Sequence, residues 1–125
     1  VDVGQIRQWL REERLELARA ASARLPNVEA AACGGLLADF AREHGACALV
    51  KGVRGSADFD WELQLAQINR DLCPGLDTIL LTARPEHRHV SSTMVREMLR
   101  YRQDLSHYIP PDALGVLHRI REGKV

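Results

Sequence analysis

The sequence predicts an α/β fold, a parallel sheet with flanking helices, and three observations carry that expectation. Short apolar runs recur at Val28 to Ala32, Ala46 to Val50 and Thr78 to Leu81. Between and around them, apolar residues return at the helical period among charged ones. Two unusual loops, at Lys51 and at Arg84, each follow one of the runs. Buried strands alternating with amphipathic helices imply βα units and a parallel sheet, whose ligands bind beyond the carboxyl ends of the strands.

The elements follow in chain order. From about Gln5 to Leu25, the positions Ile6, Trp9, Leu10, Leu15, Leu17 and Ala18 predict a helix that Leu25-Pro26-Asn27 ends. Val28 to Ala32 is the first predicted strand. After Gly34-Gly35, a helix with Leu36, Leu37, Phe40 and Ala41 ends near His44-Gly45. Ala46 to Val50 is the second strand, and Lys51-Gly52-Val53-Arg54-Gly55-Ser56 reads as a polar loop. Phe59 to Leu72 predicts a helix with Trp61, Leu65, Ile68 and Leu72 on one side, Trp61 being read as a packing residue. Pro74-Gly75 turns the chain into the third strand, Thr78 to Leu81. A basic loop from Arg84 to His89 leads to Ser91-Ser92-Thr93 and a helix through about Tyr101. Pro110-Pro111 opens the last helix, to about Ile120.

Composition narrows the function classes. A chain of 125 residues suits one compact domain, and its formal net charge of zero gives no electrostatic case for general nucleic-acid or membrane-surface binding. No apolar run approaches the roughly 18 residues of a membrane span. The opening Val1-Asp2-Val3-Gly4-Gln5 has neither basic head nor apolar stretch, unlike a signal peptide. Cys33, Cys47 and Cys73 are dispersed, without a C-x-x-C pair, which argues against a disulfide framework and a zinc site and for a reducing compartment.

Few groups could carry chemistry. In Lys51-Gly52-Val53-Arg54, two cations flank a glycine directly after a strand, so side chains and backbone N–H groups can converge on an anion. A solvated loop with two surface cations fits the spacing as well. Ser91-Ser92-Thr93 puts three hydroxyls at a helix start, more than capping needs and apt for phosphate, although a simple cap beside a polar loop explains them too. Asp58, Asp60 and Glu62 crowd the start of the Phe59 helix. Asp58 reads as a cap, whereas Glu62 is either a favourable charge at the helix end or a ligand acceptor. Residue types and spacing thus reach an α/β domain with an anion-binding face, without naming a reaction.

The stretch from Lys51 to Asn69, Lys-Gly-Val-Arg-Gly-Ser-Ala-Asp-Phe-Asp-Trp-Glu-Leu-Gln-Leu-Ala-Gln-Ile-Asn, closely resembles the signature of bacterial phosphopantetheine adenylyltransferases. Glu12-Glu13-Arg14, Leu25-Pro-Asn-Val28, Ser91-Ser92-Thr93 and Asp104-Leu-Ser-His-Tyr-Ile-Pro110 resemble further family segments, so nearly the whole chain is covered. The resemblance implies a Rossmann-like parallel sheet of the nucleotidylyl transferase type, as a single domain over residues 1–125. It implies adenylyl transfer from ATP to 4′-phosphopantetheine in coenzyme A biosynthesis, with Mg2+ as cofactor. A cytoplasmic homohexamer and coenzyme A as a product-like inhibitor are also implied. By position, Gly52, Val53, Arg54 and Glu62 contact ATP, as do His87, Arg88, His89, Val90, Ser91, Ser92 and Thr93. Leu37 and Lys51 contact phosphopantetheine.

The chain also departs from the family pattern. His87-Arg88-His89 stands where aromatic or small residues are usual, Thr93 where Ser is usual, and the family's substrate-binding Lys falls around Gln5 to Arg7. The Gly-x-Phe-Asp-Pro…Gly-His segment, whose last His stabilises the transition state, is not in this sequence. The expectation is that the native protein carries it, with the first strands, upstream of Val1, and that the Val28 strand has no neighbour without them. A non-catalytic nucleotide- or coenzyme A-binding module and an α/β interaction domain are the competing expectations.

Overall fold

The computed structural model describes residues 10–123, so Gln5, Ile6, Arg7 and Trp9 lie outside the described residues. The chain gathers into two compact units. One comprises residues 33–89; the other joins the described residues up to 32 with those from 90 onward.

The unit of residues 33–89 contains the sheet. Helix α2 (Leu37–Glu43) precedes strand β1 (Ala48–Val53); helix α3 (Ser56–Leu72) then crosses over to strand β2 (Asp77–Thr82). β1 and β2 run parallel, in register from Ala48 opposite Asp77 to Val53 opposite Thr82. That βαβ arrangement confirms the predicted fold class. Gly45 ends α2 with a φ of 64°, a left-handed backbone that costs glycine nothing, and the N–H groups of Gly45 and Ala46 return to the carbonyls of Arg42 and Ala41.

Side chains on the sheet alternate with the strand period. Leu49, Lys51 and Val53, with Thr78 and Leu80, lie on the more covered face, while Val50, Gly52, Ile79 and Leu81 are exposed. On α3 the more covered positions are Glu62, Leu65, Ala66 and Asn69. Trp61 is 58% exposed and is not a core residue, and Ile68 and Leu72 are exposed as well. The apolar stripe on one side of this helix therefore lies turned partly outward, with Leu65 alone of its members on the covered side.

β1 corrects the sequence expectation. Lys51, Gly52 and Val53 belong to the strand, because their backbones continue the ladder opposite Leu80, Leu81 and Thr82. A polar residue and a glycine mimic a loop in sequence, but a partner strand satisfies their N–H and C=O groups all the same.

The other unit is helical: α1 (Arg11–Ser22), α4 (Ser92–Arg100) and α5 (Pro111–Glu122). Leu99, Leu105 and Leu117 form its core, with Leu17, Val95, Met98, Tyr108, Ile109 and Leu114 packed against them. Glu13 secures the start of α1 by accepting the Leu10 N–H at 2.9 Å. Ion pairs from α1 and the residues after it, Glu16 to Arg119 and Arg24 to Asp112, tie this part of the chain to α5. Pro111 stands at the first position of α5, where a missing N–H costs nothing.

Val28 to Ala32 is irregular rather than a strand. No strand among the described residues offers it a ladder, and an apolar run without a hydrogen-bonding neighbour has no reason to hold strand geometry.

Candidate functional site

The carboxyl ends of β1 and β2 open onto a cavity of about 380 Å³, lined by Val53, Arg54, Gly55, Ser56, Phe59, Thr82, Ala83 and Arg88. The sheet sets its floor: Val53 closes β1, and the Ala83 N–H extends the ladder to the Val53 carbonyl at 2.8 Å. Gly55, in extended backbone, is the N-cap of α3, and no side chain caps that helix. The first backbone N–H groups of α3 thus start at Gly55 and Ser56 in the cavity lining, at the positive end of the helix dipole.

Asp58 does not cap α3 as expected. It lies inside the helix, accepting the Arg54 backbone N–H at 3.2 Å with the Arg54 guanidinium at 3.5 Å. The effect is to hold the exit from β1, and with it Arg54, at the cavity wall. Arg88 follows the short 3₁₀ turn Pro85–His87 and supplies a second guanidinium. Two planar cations and a helix start around one opening suit phosphate oxygens, and the exposed Phe59 adds an apolar wall.

Of the expected ligand contacts, the cavity brings together Val53, Arg54 and Arg88. Gly52 sits one residue back in β1, paired opposite Leu81 and exposed. Lys51 lies on the more covered face of the sheet, with its ammonium 3.5 Å from the Glu62 carboxylate on α3. Leu37 begins α2 and is 37% exposed; His87 closes the 3₁₀ turn and His89 follows it. None of these six, Glu62 included, lines the cavity.

Val90, Ser91, Ser92 and Thr93 belong to the helical unit. There Ser91 is the cap of α4, its Oγ accepting the Met94 N–H at 3.1 Å, and Thr93 Oγ1 accepts from Arg96 at 3.3 Å. Ser92 lines a separate cavity among α1, α4 and α5.

Sequence reading missed Gly55, Ser56, Phe59, Thr82 and Ala83 as site residues. The rule that ligands sit beyond parallel strand ends could have indicated Thr82 and Ala83, had the end of β2 been placed correctly.

A parallel βαβ unit whose strand ends open onto a cationic cavity fits an α/β domain of the Rossmann-like nucleotidyltransferase class. No family model matches the chain. It is, however, 48% identical over 106 residues to the phosphopantetheine adenylyltransferase of Actinobacillus pleuropneumoniae serotype 5b (strain L20), covering 85% of this chain and 67% of that protein. It is 45% identical over 105 residues to the enzyme of that name from Haemophilus ducreyi (84% of this chain, 65% of that protein). With that of Psychromonas ingrahamii it shares 46% identity over 99 residues (79% and 62%). A match of 106 residues within 125 must take in Lys51 to Asn69 and Ser91 to Thr93. The chain belongs to the phosphopantetheine adenylyltransferase family, and it spans about two thirds of the length of these relatives.

Proposed function

We propose that the protein transfers the adenylyl group of ATP to 4′-phosphopantetheine, giving dephospho-coenzyme A and pyrophosphate, within a single nucleotidylyl transferase domain. The observation that carries this reading is the grouping of Arg54, Arg88 and the uncapped start of α3 around one cavity at the strand ends. In the reaction a phosphate oxygen of the acceptor attacks the α-phosphorus of ATP in line. The new P–O bond forms as the bond to pyrophosphate breaks, and the electron pair leaves on pyrophosphate. Chemistry of this kind needs alignment and stabilisation of charge on phosphoryl oxygens more than a covalent enzyme intermediate.

In this proposal Arg54 and Arg88 bind phosphate oxygens, and the backbone from Gly52 to Ser56 approaches them. Within the α/β unit His87 and His89 flank Arg88 on the nucleotide side, and Lys51 with Leu37 receives the acceptor. Magnesium enters as MgATP. Among the described residues no cluster of three or more His, Cys, Asp or Glu side chains is placed to cage a metal. Asp58 and Glu62 each face a cation, and Mg2+ bound with ATP would supply neutralisation of charge on the phosphate oxygens.

We further propose a cytoplasmic homohexamer that binds coenzyme A as a product-like inhibitor. The free thiols of Cys33, Cys47 and Cys73 suit a reducing compartment. Among the described residues no helix is long and apolar enough to cross a membrane.

The test is a pyrophosphate-release assay on the complete gene product, including the Gly-His segment expected upstream of Val1. Release that requires both ATP and 4′-phosphopantetheine is expected. Release with ATP alone, or none with both substrates, would sink the reading.

A further inference from the structure

The helical unit holds a cavity of its own, between α1, α4 and α5. Its volume is about 460 Å³, larger than the 380 Å³ at the strand ends and within the usual range for small-ligand sites. The inner wall is apolar: Ala113 and Leu117 are buried, and Leu17, Val95 and Ile109 are half-buried. Its polar lining is Arg14 on α1 with Ser92 and Arg96 on α4, and among the described residues no carboxylate joins them. These two arginines differ from others of the same unit. Arg24 and Arg119 are ion-paired, to Asp112 and Glu16. Among the described residues the Arg14 guanidinium has no partner, and that of Arg96 has only the Thr93 hydroxyl, at 3.3 Å.

We propose that this cavity binds a small amphipathic carboxylate, its unbranched apolar chain lying against Leu17, Val95, Ile109 and Leu117 and its head group taking the open donors of Arg14 and Arg96. Apolar walls make a poor host for water, which needs about two to four polar partners to stay ordered. A guanidinium fork, in contrast, matches the two oxygens of a carboxylate. A singly charged head suits the place better than a phosphate dianion, because the cost of taking charge out of water beside apolar walls grows with that charge. Burial of the chain supplies affinity, and the arginines supply the preference for an anion. The site lies in a different unit from the Arg54 cavity and takes a different ligand, so it holds or fails independently of the proposed adenylyl transfer.

The experiment is calorimetry of the complete gene product with decanoate, and with decanol as the same chain without the charge, both below micelle formation. Decanoate is expected to bind as one molecule per chain, and decanol at least about tenfold more weakly. Arg14→Gln and Arg96→Gln keep a polar side chain and remove the charge. Each should weaken decanoate by about tenfold and leave decanol within about twofold of its wild-type affinity. Ala18→Leu adds bulk to the cavity from an exposed position on α1, with a residue that favours helix, and should weaken both probes.

Equal affinity for decanoate and decanol overturns the proposal, since it means apolar adsorption without a head-group site. So does decanoate binding that survives all three substitutions, which puts the ligand elsewhere. No binding at all overturns it as well: the cavity is then filled in the complete protein, by its own upstream residues or by a neighbouring subunit. Should Ala18→Leu fail to fold, the two arginine variants carry the comparison, because neither alters the apolar core of the unit.

Discussion

The helical unit and the α/β unit treat their apolar residues in opposite ways. In the helical unit Leu99, Leu105, Ala113, Leu117 and Ile120 are buried, and side chains from all three helices join the core. In the α/β unit the buried apolar residues are Ala38, Ala41, Val53 and Leu76, while Val50, Ile79 and Leu81 stand exposed on one face of the sheet at 61%, 49% and 57%. The cations of the candidate site belong to the second unit. The contrast places stability and chemistry on different residues: leucines hold the helices, whereas the strand ends supply backbone and charge.

The largest expected effect tests the first half of that contrast. Leu117 is 2% exposed at the centre of the helical core, so Leu117→Ala should cost about 2–5 kcal/mol in a denaturant titration, from lost burial and the cavity left behind. Ile79→Ala on the bare sheet face should cost no more than about 0.5 kcal/mol. Equal costs would mean that this sheet face is packed in solution, and the contrast would collapse.

The second test turns to the site. Arg54→Ala removes a guanidinium from the cavity wall, and MgATP affinity measured by calorimetry should fall about 10- to 100-fold, as for a charge-assisted hydrogen bond of roughly 1.5–3 kcal/mol. The unfolding midpoint should hardly move, because the Arg54–Asp58 pair is well exposed and such pairs contribute about 0–1 kcal/mol. A large stability loss with intact affinity would make Arg54 a structural residue.

Much of this was legible in the sequence, and what was not has physical causes. Helices were found because apolar residues recur at their period, even in α3 where that stripe is largely exposed, and Pro110-Pro111 marked the start of α5 through the chemistry of proline itself. Strand limits were misread because a strand is decided by its neighbour. Lys51 and Gly52 have no strand signal of their own, yet they pair with β2, whereas the apolar Val28 to Ala32 has no ladder and stays irregular. In the site, Arg54 announced itself by its place after a strand. Arg88 was legible as one cation of the basic loop from Arg84 to His89, but nothing local says that a 3₁₀ turn returns it to the end of β1. The Lys51–Glu62 pair is a contact between strand and helix that no spacing rule encodes.

A smaller effect concerns the start of α4. Ser91 accepts the Met94 N–H, so Ser91→Ala should cost about 1 kcal/mol in unfolding free energy, as the loss of an N-cap usually does. Thr93→Ala, whose hydroxyl bonds an exposed Arg96 side-chain nitrogen, should cost less. If the two cost the same, capping is not what Ser91 does here.

The smallest expected effect lies in the loop between α4 and α5. The Ser106 backbone N–H donates to one carboxylate oxygen of Asp104 and the Ser106 hydroxyl to the other, both at 2.9 Å. These bonds hold the Asp104 carboxyl below its ordinary value of 3.8, the backbone bond first, with His107 and His118 assisting. A carboxylate whose folded pKa is depressed contributes stability above its unfolded pKa, and that contribution is lost as pH falls through the folded value. Ser106→Ala removes the hydroxyl bond and keeps the stronger backbone one. An NMR titration of the variant should therefore show the Asp104 pKa raised part of the way and still under 3.8. A rise to the full ordinary value would mean that the hydroxyl, and not the turn's backbone, holds the charge.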